Sequence, residues 1–348
     1  QPWMDTGETM EEHDLIYDWN VIDYSIDRDE SEHPHELWFD DETLRDGLQS
    51  PSARNPTIEQ KIELIDYMER LGIQKVDLGL PGAGPFHIDH IDSMLDHMGE
   101  NGYNLRPGCA VRPVVSAIEP LVELQSKHDR QIQASAFLGT SPIRQFAEGW
   151  TMGRIMETAE KAVTFAVDND IPVMFVTEDT TRSKPEEIKQ VYARAIELGA
   201  DRICVCDTCG HVTPNGVRKL LEFIQEEVIP DSGAKRREIE VNWHGHQDRG
   251  LGVANNLAAY EAGADVIHGT ALGVGERAGN AALEEIVMAM KTRNDLMPYK
   301  TGINTQLISK ASKTVSNATG FPVQFNKAIV GKNAVSYTHL TLPTIYSV

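Results

Sequence analysis

Cysteine, basic residues and long apolar runs are all scarce in this sequence of 348 residues. Only four cysteines are present, so the fold is not expected to depend on disulfides, and a reducing, cytoplasmic location is predicted. No run of about 18 apolar residues occurs, which argues against a transmembrane helix. The acidic residues 1–20 lack the basic and apolar regions of a secretory signal peptide.

The shortage of basic residues gives the chain a strongly negative charge. Lysine and arginine total 32 against 53 aspartates and glutamates, a formal net charge of −21. Such a surface repels nucleic acids and anionic membranes, so neither is an expected partner. It would also repel an anionic substrate, and a site for one therefore needs local positive charge from a metal ion or an arginine.

What the sequence does contain is a repeating pattern. Short runs rich in Val, Ile and Leu alternate with helical patterns, eight times in about 260 residues, which fits an α/β fold of the TIM (β/α)8 barrel type. Continuous apolarity indicates strands that are buried on both faces, as in a parallel sheet. A doubly wound open sheet is the alternative, but its usual glycine-rich turn after the first strand is replaced by Arg45-Asp46-Gly47. The predicted strands are Leu37–Asp41, Lys75–Leu80, Leu105–Val111, Ile132–Leu138, Pro172–Thr177, Arg202–Asp207, Ile239–Trp243 and Asp265–Thr270.

Capping residues mark the helices between these strands. Thr57 and Gln60 have the spacing of a capping box, and Gly72 would end that helix. Pro185 is placed to begin another helix, and Gly263 to end a third.

We divide the chain into four parts, with the barrel as the catalytic domain. A helix over Ile303–Ala318 and an extended piece over Val323–Val330 are expected after the barrel. The parts are an acidic N-terminal extension (1–35), the barrel (36–298), the start of an accessory helical subdomain (299–334) and an unstructured tail (335–348).

A candidate metal site follows from the seventh predicted strand. The strand ends in His244-Gly245-His246, and residues two apart in a strand project to the same face. Together with Asp46, after the first strand, the two imidazoles make three ligands with open positions, so a bound ion could act on a substrate as a Lewis acid. With Asn280 nearby, these donors suit Mg²⁺, Mn²⁺ or Zn²⁺.

Other strand ends carry polar groups, each with a structural alternative. Arg45 and Asp46 could form a simple ion pair, and Glu178 could be either an acid/base group or an acidic first turn of a helix. Thr208 offers a hydroxyl group. Glu276 and Asn280 lie in a glycine-rich loop that allows close approach of a ligand.

Two further motifs are interpreted as structural. The Cys206–Cys209 pair has CxxC spacing but lacks a second such pair and a thioredoxin-like context, so we interpret it as part of a buried strand. His33 and His35 could bind a metal, but a solvated linker is the preferred interpretation.

The motifs also resemble a known family. Residues 41–47, Asp-Glu-Thr-Leu-Arg-Asp-Gly, are similar to the opening signature of the metal-dependent barrel enzymes that include 2-isopropylmalate, citramalate and homocitrate synthases and hydroxymethylglutaryl-CoA (HMG-CoA) lyase. Residues 244–285 resemble the second synthase signature almost throughout. The resemblance covers roughly residues 37–334.

This resemblance implies an acyltransferase that condenses acetyl-CoA with a 2-oxo acid, as 2-isopropylmalate synthase does in leucine biosynthesis, and a homodimer. Arg45 would stabilise the enolate, and Glu276 would shape the acyl-CoA side. The implied site residues are Asp46, His244, His246 and Asn280 for a divalent metal, Arg45, Glu178 and Glu276 for catalysis, and Gln49, Thr208 and Arg144 for substrate binding.

Departures from the family pattern leave alternatives open. Gly245 and Gln247 replace residues usual in the second signature, Leu48 is typical of the lyase branch, and Arg144 stands where many synthases have His, so the preferred oxo acid is left open. Residues 335–348 do not resemble the accessory segment that supplies a catalytic His, and we expect a truncation or sequence artefact and poor turnover. The rival functions are cleavage of HMG-CoA and a non-catalytic metal-binding barrel.

Overall fold

The computed structural model describes residues 37–293 and 301–334. Eight parallel strands close into a barrel in sequence order, with the first strand paired to both the second and the eighth. The predicted TIM barrel is confirmed, and the open sheet is excluded. The strands are Trp38–Asp41 (β1), Lys75–Asp77 (β2), Arg106–Val111 (β3), Gln133–Gly139 (β4), Val173–Glu178 (β5), Arg202–Asp207 (β6), Glu240–Gly245 (β7) and Val266–Gly269 (β8).

Two strands differ from their predicted ends in ways that shape the site. Strand β2 stops at Asp77 because Gly79 adopts a φ of 143° and Pro81 begins a 3-10 turn. Strand β7 continues two residues past the prediction, so His244 lies inside the ladder. Both changes occur at the C-terminal ends of strands, where TIM barrels place their reactive groups.

Helices on the outside of the barrel connect successive strands. In the described residues, ten helices have seven residues or more. They are Ile58–Leu71 (α1), Pro85–Glu100 (α2), Val115–His128 (α3), Pro142–Glu148 (α4), Met152–Asp168 (α5), Pro185–Glu197 (α6), Pro214–Phe223 (α7), Gly252–Glu261 (α8), Leu283–Thr292 (α9) and Ile308–Thr319 (α10).

The predicted capping signals are confirmed. Thr57 and Gln60 exchange the two hydrogen bonds of a capping box at the start of α1, and Gly72 ends the helix in the left-handed region. Pro185 is the first residue of α6. Gly263, just after α8, has a φ of 91°.

The segment after the barrel corrects two predictions. Helix α10 begins five residues later than expected, because the Asn304 side chain accepts from the Gln306 N–H and starts a 3-10 turn over Thr305–Leu307. The extended piece predicted over Val323–Val330 is wrong, since that stretch consists of turns and irregular backbone with no strand.

The main apolar core lies between the sheet and the helices, and the barrel interior is more polar. Lys75 on β2 and Glu240 on β7 are 2.5 Å apart, although these strands are not neighbours, so their bond crosses the interior. No helix among the described residues is both long and apolar enough to traverse a bilayer.

The predictions for the extension (1–35, including His33 and His35) and the tail (335–348) lie outside the described residues, as does the boundary at 298/299.

Candidate metal centre and active-site cavity

Three predicted ligands meet at the C-terminal mouth of the barrel. The Nε2 atoms of His244 and His246 are 3.0 Å apart, and each lies 3.4 Å from Oδ2 of Asp46. All three residues are buried, and their ligand atoms fall within 4.8 Å of one another. Since Asp46 follows β1 and the histidines end β7, closure of the barrel brings the three together.

Glu42 holds two histidine rings in place through its two carboxylate oxygens. Its Oε2 lies 2.6 Å from His244 Nδ1, and its Oε1 lies 3.1 Å from His268 Nδ1. Burial alone would lower the pKa of His244, but the Glu42 carboxylate outweighs burial and raises that pKa to about 10. A carboxylate on the far nitrogen of a histidine is the usual support of a metal ligand, because it fixes the ring's orientation and tautomer.

The carboxyl group of Asp46 is held in its charged form. Burial favours the neutral acid, but Arg45 and the two histidines outweigh burial and bring the pKa of Asp46 well below its usual range. Asp46 therefore offers an ionised oxygen at neutral pH, as a metal ligand must.

Asn280 reaches the cluster from the loop after β8. Its Nδ2 lies 2.9 Å from Asp46 Oδ2, and its backbone forms an isolated bridge with His246. A Cβ atom at Gly275 would come within 2.0 Å of Asn280 Oδ1, so Gly275 leaves the space that this amide occupies.

The donor set fits a divalent ion. Two imidazoles and a carboxylate converge, and two buried polar atoms beside them, His246 Nδ1 and Asn280 Oδ1, have no hydrogen-bond partner. Because rotating the amide exchanges its oxygen and nitrogen, Asn280 can donate from its nitrogen to Asp46 or turn its oxygen toward a bound ion. A second group, Glu42, His244 and His268, also has metal-like spacing, but Glu42 already pairs with both of its histidines.

Arg45 is held beside the cluster by carboxylates. Its Nε donates to Asp77 at 3.1 Å and its Nη2 to Glu42 at 2.9 Å, and Asp46 lies 3.8 Å from Nη1. Burial alone would lower the pKa of Arg45, but these carboxylates raise it well above its ordinary value. Burial raises the pKa of Asp77 to about 7, although Arg45 opposes this.

The cluster opens into a cavity of about 220 Å³ at the barrel mouth. Eight of the ten predicted site residues line it: Arg45, Asp46, Gln49, Glu178, Thr208, His244, His246 and Glu276.

The other two predicted residues lie just behind the lining. Asn280 contacts Asp46, and Arg144 donates to Glu178 Oε2 at 3.1 Å and pairs with Glu148 at 2.7 Å. The structure thus brings nine of the predicted residues to the cavity or its ligands, while Arg144 reaches it only through Glu178. The roles of all ten stay predictions.

Neighbouring groups affect the pKa of Glu178 and the hydrogen bonding of Thr208, which both line the cavity. Burial raises the pKa of Glu178 despite the opposing charge of Arg144. The Thr208 hydroxyl oxygen accepts from the backbone N–H of Asp179 at 2.8 Å, which leaves its proton free to donate to a ligand.

At the rim, Arg277 connects three loops. It donates to both oxygens of Asp248, lies 3.2 Å from Glu276, and donates to the backbone oxygen of Thr208. Its contacts connect the loop that carries Glu276 to the loop that carries Thr208.

Sequence reasoning missed several lining residues, and alternation along the strands would have revealed most of them. Residues two apart share a face, so strands β4 to β8 place further side chains toward the interior. The missed lining residues are Glu42, Asp77, Leu80, Ser135, Phe137, Met174, Val176, Cys204, Cys206 and His268.

The four cysteines are free, as predicted. The interpretation of Cys206 and Cys209 as part of a buried strand holds for Cys206, which is buried on β6 and faces the cavity. It is wrong for Cys209, because the strand ends at Asp207 and the chain turns there, so Cys209 is half-exposed and accepts from Arg182 at 3.2 Å.

Two comparisons with known proteins, one with a family model and one with individual sequences, give the same result. The family model described as HMGL-like matches residues 37–315. The 2-isopropylmalate synthase of Neisseria meningitidis serogroup A is 37% identical over 302 residues, which cover 85% of this chain and 56% of that protein. The 2-isopropylmalate synthase of Pyrococcus furiosus is 34% identical over 298 residues, covering 85% and 58%. The chain thus spans little more than half the length of these relatives.

Solved structures share the fold at lower identity. An HMG-CoA lyase from Acinetobacter baumannii, solved in complex with coenzyme A and 3-methylmalate, aligns with a TM-score of 0.66 and 18% identity, over 90% of this chain and 98% of that one.

Proposed function

The chain belongs to the HMGL-like family, and from this premise we propose that it is an acyltransferase that condenses acetyl-CoA with a 2-oxo acid, as a 2-isopropylmalate synthase does. The observation that carries the proposal is the convergence of Asp46, His244 and His246 on one point that opens into the cavity. Relatives named 2-isopropylmalate synthase, 34% to 37% identical over 85% of the chain, support the choice of reaction.

A divalent ion held by Asp46, His244 and His246, with Asn280 beside them, would act as a Lewis acid on the keto oxygen of the oxo acid. The hydroxyl of Thr208 would donate to the carboxylate of the same molecule, because its own oxygen is already occupied by a backbone N–H.

Arg45 would stabilise the negative charge that develops on the acetyl-CoA oxygen when a methyl proton is removed. Its guanidinium is held in place by Asp77 and Glu42 before any substrate arrives, and such preorganised charge is effective in a buried site.

Two glutamates of the cavity would have different roles. Glu178 is half-buried with a raised pKa, which suits an acid/base group, and Arg144 orients it. Glu276 lies at the more exposed rim, where an acyl-CoA would enter. Gln49 lines the cavity on the β1 side and would contact the oxo acid.

In this reaction the enolate of acetyl-CoA would form a bond to the keto carbon of the oxo acid, and water would then hydrolyse the thioester and release CoA thiol. The test is release of CoA thiol by the purified protein from acetyl-CoA and a panel of 2-oxo acids that includes 2-oxoisovalerate. We expect release that EDTA abolishes and Mn²⁺ or Mg²⁺ restores. His246→Ala should remove it, while His87→Ala, on the outer helix α2, should retain it. Release that persists in EDTA would refute the mechanism, and absence of release with every oxo acid would favour a non-catalytic barrel.

The second candidate is cleavage of an HMG-type thioester, and the fold match to an HMG-CoA lyase favours it. An assay coupled to acetoacetate would detect that reaction. The reactants are small molecules in either case. A homodimer, a cytoplasmic location and a role in leucine biosynthesis belong to the proposal as well.

A further inference from the structure

A second cavity lies at the opposite end of the barrel from the metal cluster. It encloses about 540 Å³, a size that can hold a small metabolite. Its walls include the first residues of four strands, Lys75, Arg106, Gln133 and Arg202, so it sits at the N-terminal ends of the strands.

This cavity concentrates positive charge in a chain whose formal net charge is −21. Four cations line it, Lys75, Arg106, Arg130 and Arg202, against one lining carboxylate, Asp40. Burial raises the pKa of Asp40.

Two of the cations have no acidic partner among the described residues. Arg130 is held by the backbone oxygens of Tyr103 and Leu105 at 2.7 and 3.2 Å, and the Arg106 guanidinium lies 4.3 Å over the Trp38 ring. Within the described ranges, neither Arg106 nor Arg130 forms an ion pair with a carboxylate. Both guanidiniums are thus held in place, and no carboxylate of residues 37–293 or 301–334 pairs with either of them.

A third cation has hydrogen-bonding capacity left over. Arg202 Nη1 lies 3.2 Å from Asp201 Oδ1, but this ion pair lacks hydrogen-bond geometry and leaves the buried Nη1 without a hydrogen-bond acceptor. Its Nε lies 3.8 Å from Glu240 Oε1. Lys75, by contrast, is neutralised by Glu240 at 2.5 Å. Three arginines therefore have charge or donors available to an anion.

Unpartnered acceptors lie beside these donors. Gln133 and Asp40 are more than nine-tenths buried, both line the cavity, and Gln133 Oε1 and Asp40 Oδ1 have no hydrogen-bond partner. Buried acceptors without partners are costly, so a ligand that donates hydrogen bonds would be favoured there.

We propose that this cavity is a binding site for a small hydroxylated organic phosphate. The three arginines would contact the phosphate oxygens, for which the guanidinium fork is well shaped, and the ligand's hydroxyls would donate to Gln133 and Asp40. The site is separate from the metal centre and does not depend on the proposed reaction.

Isothermal titration of the metal-free full chain with glycerol 3-phosphate tests this proposal, with inorganic phosphate and glycerol as partial ligands and sodium chloride at matched ionic strength. We expect saturable binding, weakened about tenfold or more by Arg202→Met or Arg106→Met, because each loses charge-assisted hydrogen bonds. Arg218→Met is the matched control, since Arg218 is an exposed arginine on α7 paired with Glu261, and it should bind as the wild type does.

A further variant tests the hydroxyl contacts. Gln133→Leu should weaken glycerol 3-phosphate binding while leaving inorganic phosphate binding unchanged. The proposal is overturned if the wild type shows no saturable binding, if Arg202→Met binds as tightly as wild type, or if Arg218→Met weakens binding equally. Equal effects of Gln133→Leu on both ligands would overturn the hydroxyl contacts.

Discussion

Glu42 is the residue that connects the candidate metal ligands to the barrel interior. One carboxylate oxygen pairs with His244 and the other with His268, whose Nε2 lies 3.1 Å from Asn242 Oδ1. Asn242 in turn donates to Glu240 at 3.0 Å. The orientation of His244 therefore depends on a buried hydrogen-bonded chain that continues along the interior.

Replacing Glu42 by glutamine tests this support. Glu42→Gln keeps the shape but removes the charge that fixes the His244 ring, and loss of such a partner typically weakens metal affinity about 10-fold to 100-fold. Titration with Mn²⁺ measures the change. Glu59→Gln, the same substitution on the surface helix α1, is the control and should leave affinity unchanged. Equal affinities for wild type and Glu42→Gln would contradict the assigned role.

The raised pKa of His244 makes metal binding depend on pH. Burial opposes the charge, but Glu42 raises the pKa to about 10, so the ring is protonated near neutral pH in the metal-free protein and binding must displace that proton. Metal affinity should then rise about tenfold per pH unit between about pH 7 and about pH 8 and level off near the raised pKa. Calorimetry in buffers of different ionisation enthalpy should show about one proton released, and an affinity independent of pH would refute this.

The raised pKa of His244 has the opposite pH dependence for the stability of the metal-free fold, which should fall as the pH rises. A histidine whose folded pKa exceeds its unfolded value of about 6.5 stabilises the fold fully below that value. The contribution is lost as the pH rises through about 10.

At the scale of single residues, the sequence predicted the metal ligands better than the residues that hold the ligands in place. His244 and His246 are two apart on a strand, a local signal that needs no knowledge of the fold. Glu42 and Asp77 are acidic residues with no local metal-binding spacing, and the histidines that Glu42 supports come from distant parts of the chain. Asp77 meets Arg45 across 32 positions, a separation that no local pattern reveals.

Among the elements, the loop after β8 carries the strictest spatial requirement. Gly279 has a φ of 93°, and a Cβ there would lie 1.9 Å from the Gly273 oxygen. Gln247 N–H donates to the Gly279 oxygen at 2.8 Å, which fastens this loop to the end of β7. The loop thereby holds Asn280 against Asp46.

A methyl group at Gly275 should displace that amide. Gly275→Ala would place a Cβ within 2.0 Å of Asn280 Oδ1, so Asn280 has to move and Mn²⁺ affinity should fall about tenfold or more. Gly153→Ala on α5 is the matched control, because its Cβ would meet only Thr151 Oγ1 at 3.8 Å. An unchanged Mn²⁺ titration for Gly275→Ala would show that the loop tolerates the group.

The elements themselves were largely predictable. Eight apolar runs gave eight strands because a strand buried on both faces has a continuous apolar signature. The prediction of an extended piece over Val323–Val330 was wrong, since the apolar residues there lie in turns and irregular backbone. Helix α10 began late because a side-chain hydrogen bond from Asn304, invisible to periodicity, intervenes.

For the whole molecule, the central feature is that the barrel's first and seventh strands supply one site. Asp46 and the two histidines are about 200 residues apart in sequence, and only closure of the sheet brings them together. Because a net charge of −21 would repel an anionic substrate, a cation bound at this mouth would supply the positive charge that such a substrate needs. The cationic cavity at the other end shows that positive charge is also concentrated away from the metal centre.

An anomalous difference map from crystals of the protein grown with Mn²⁺ tests the central claim most directly. We predict one strong peak at the barrel mouth, about 2.0–2.2 Å from Asp46 Oδ2 and from the Nε2 atoms of His244 and His246, because these are ordinary metal–ligand distances. The peak should be missing in His246→Ala crystals. A peak elsewhere, or none at this cluster in the wild type, would contradict the account.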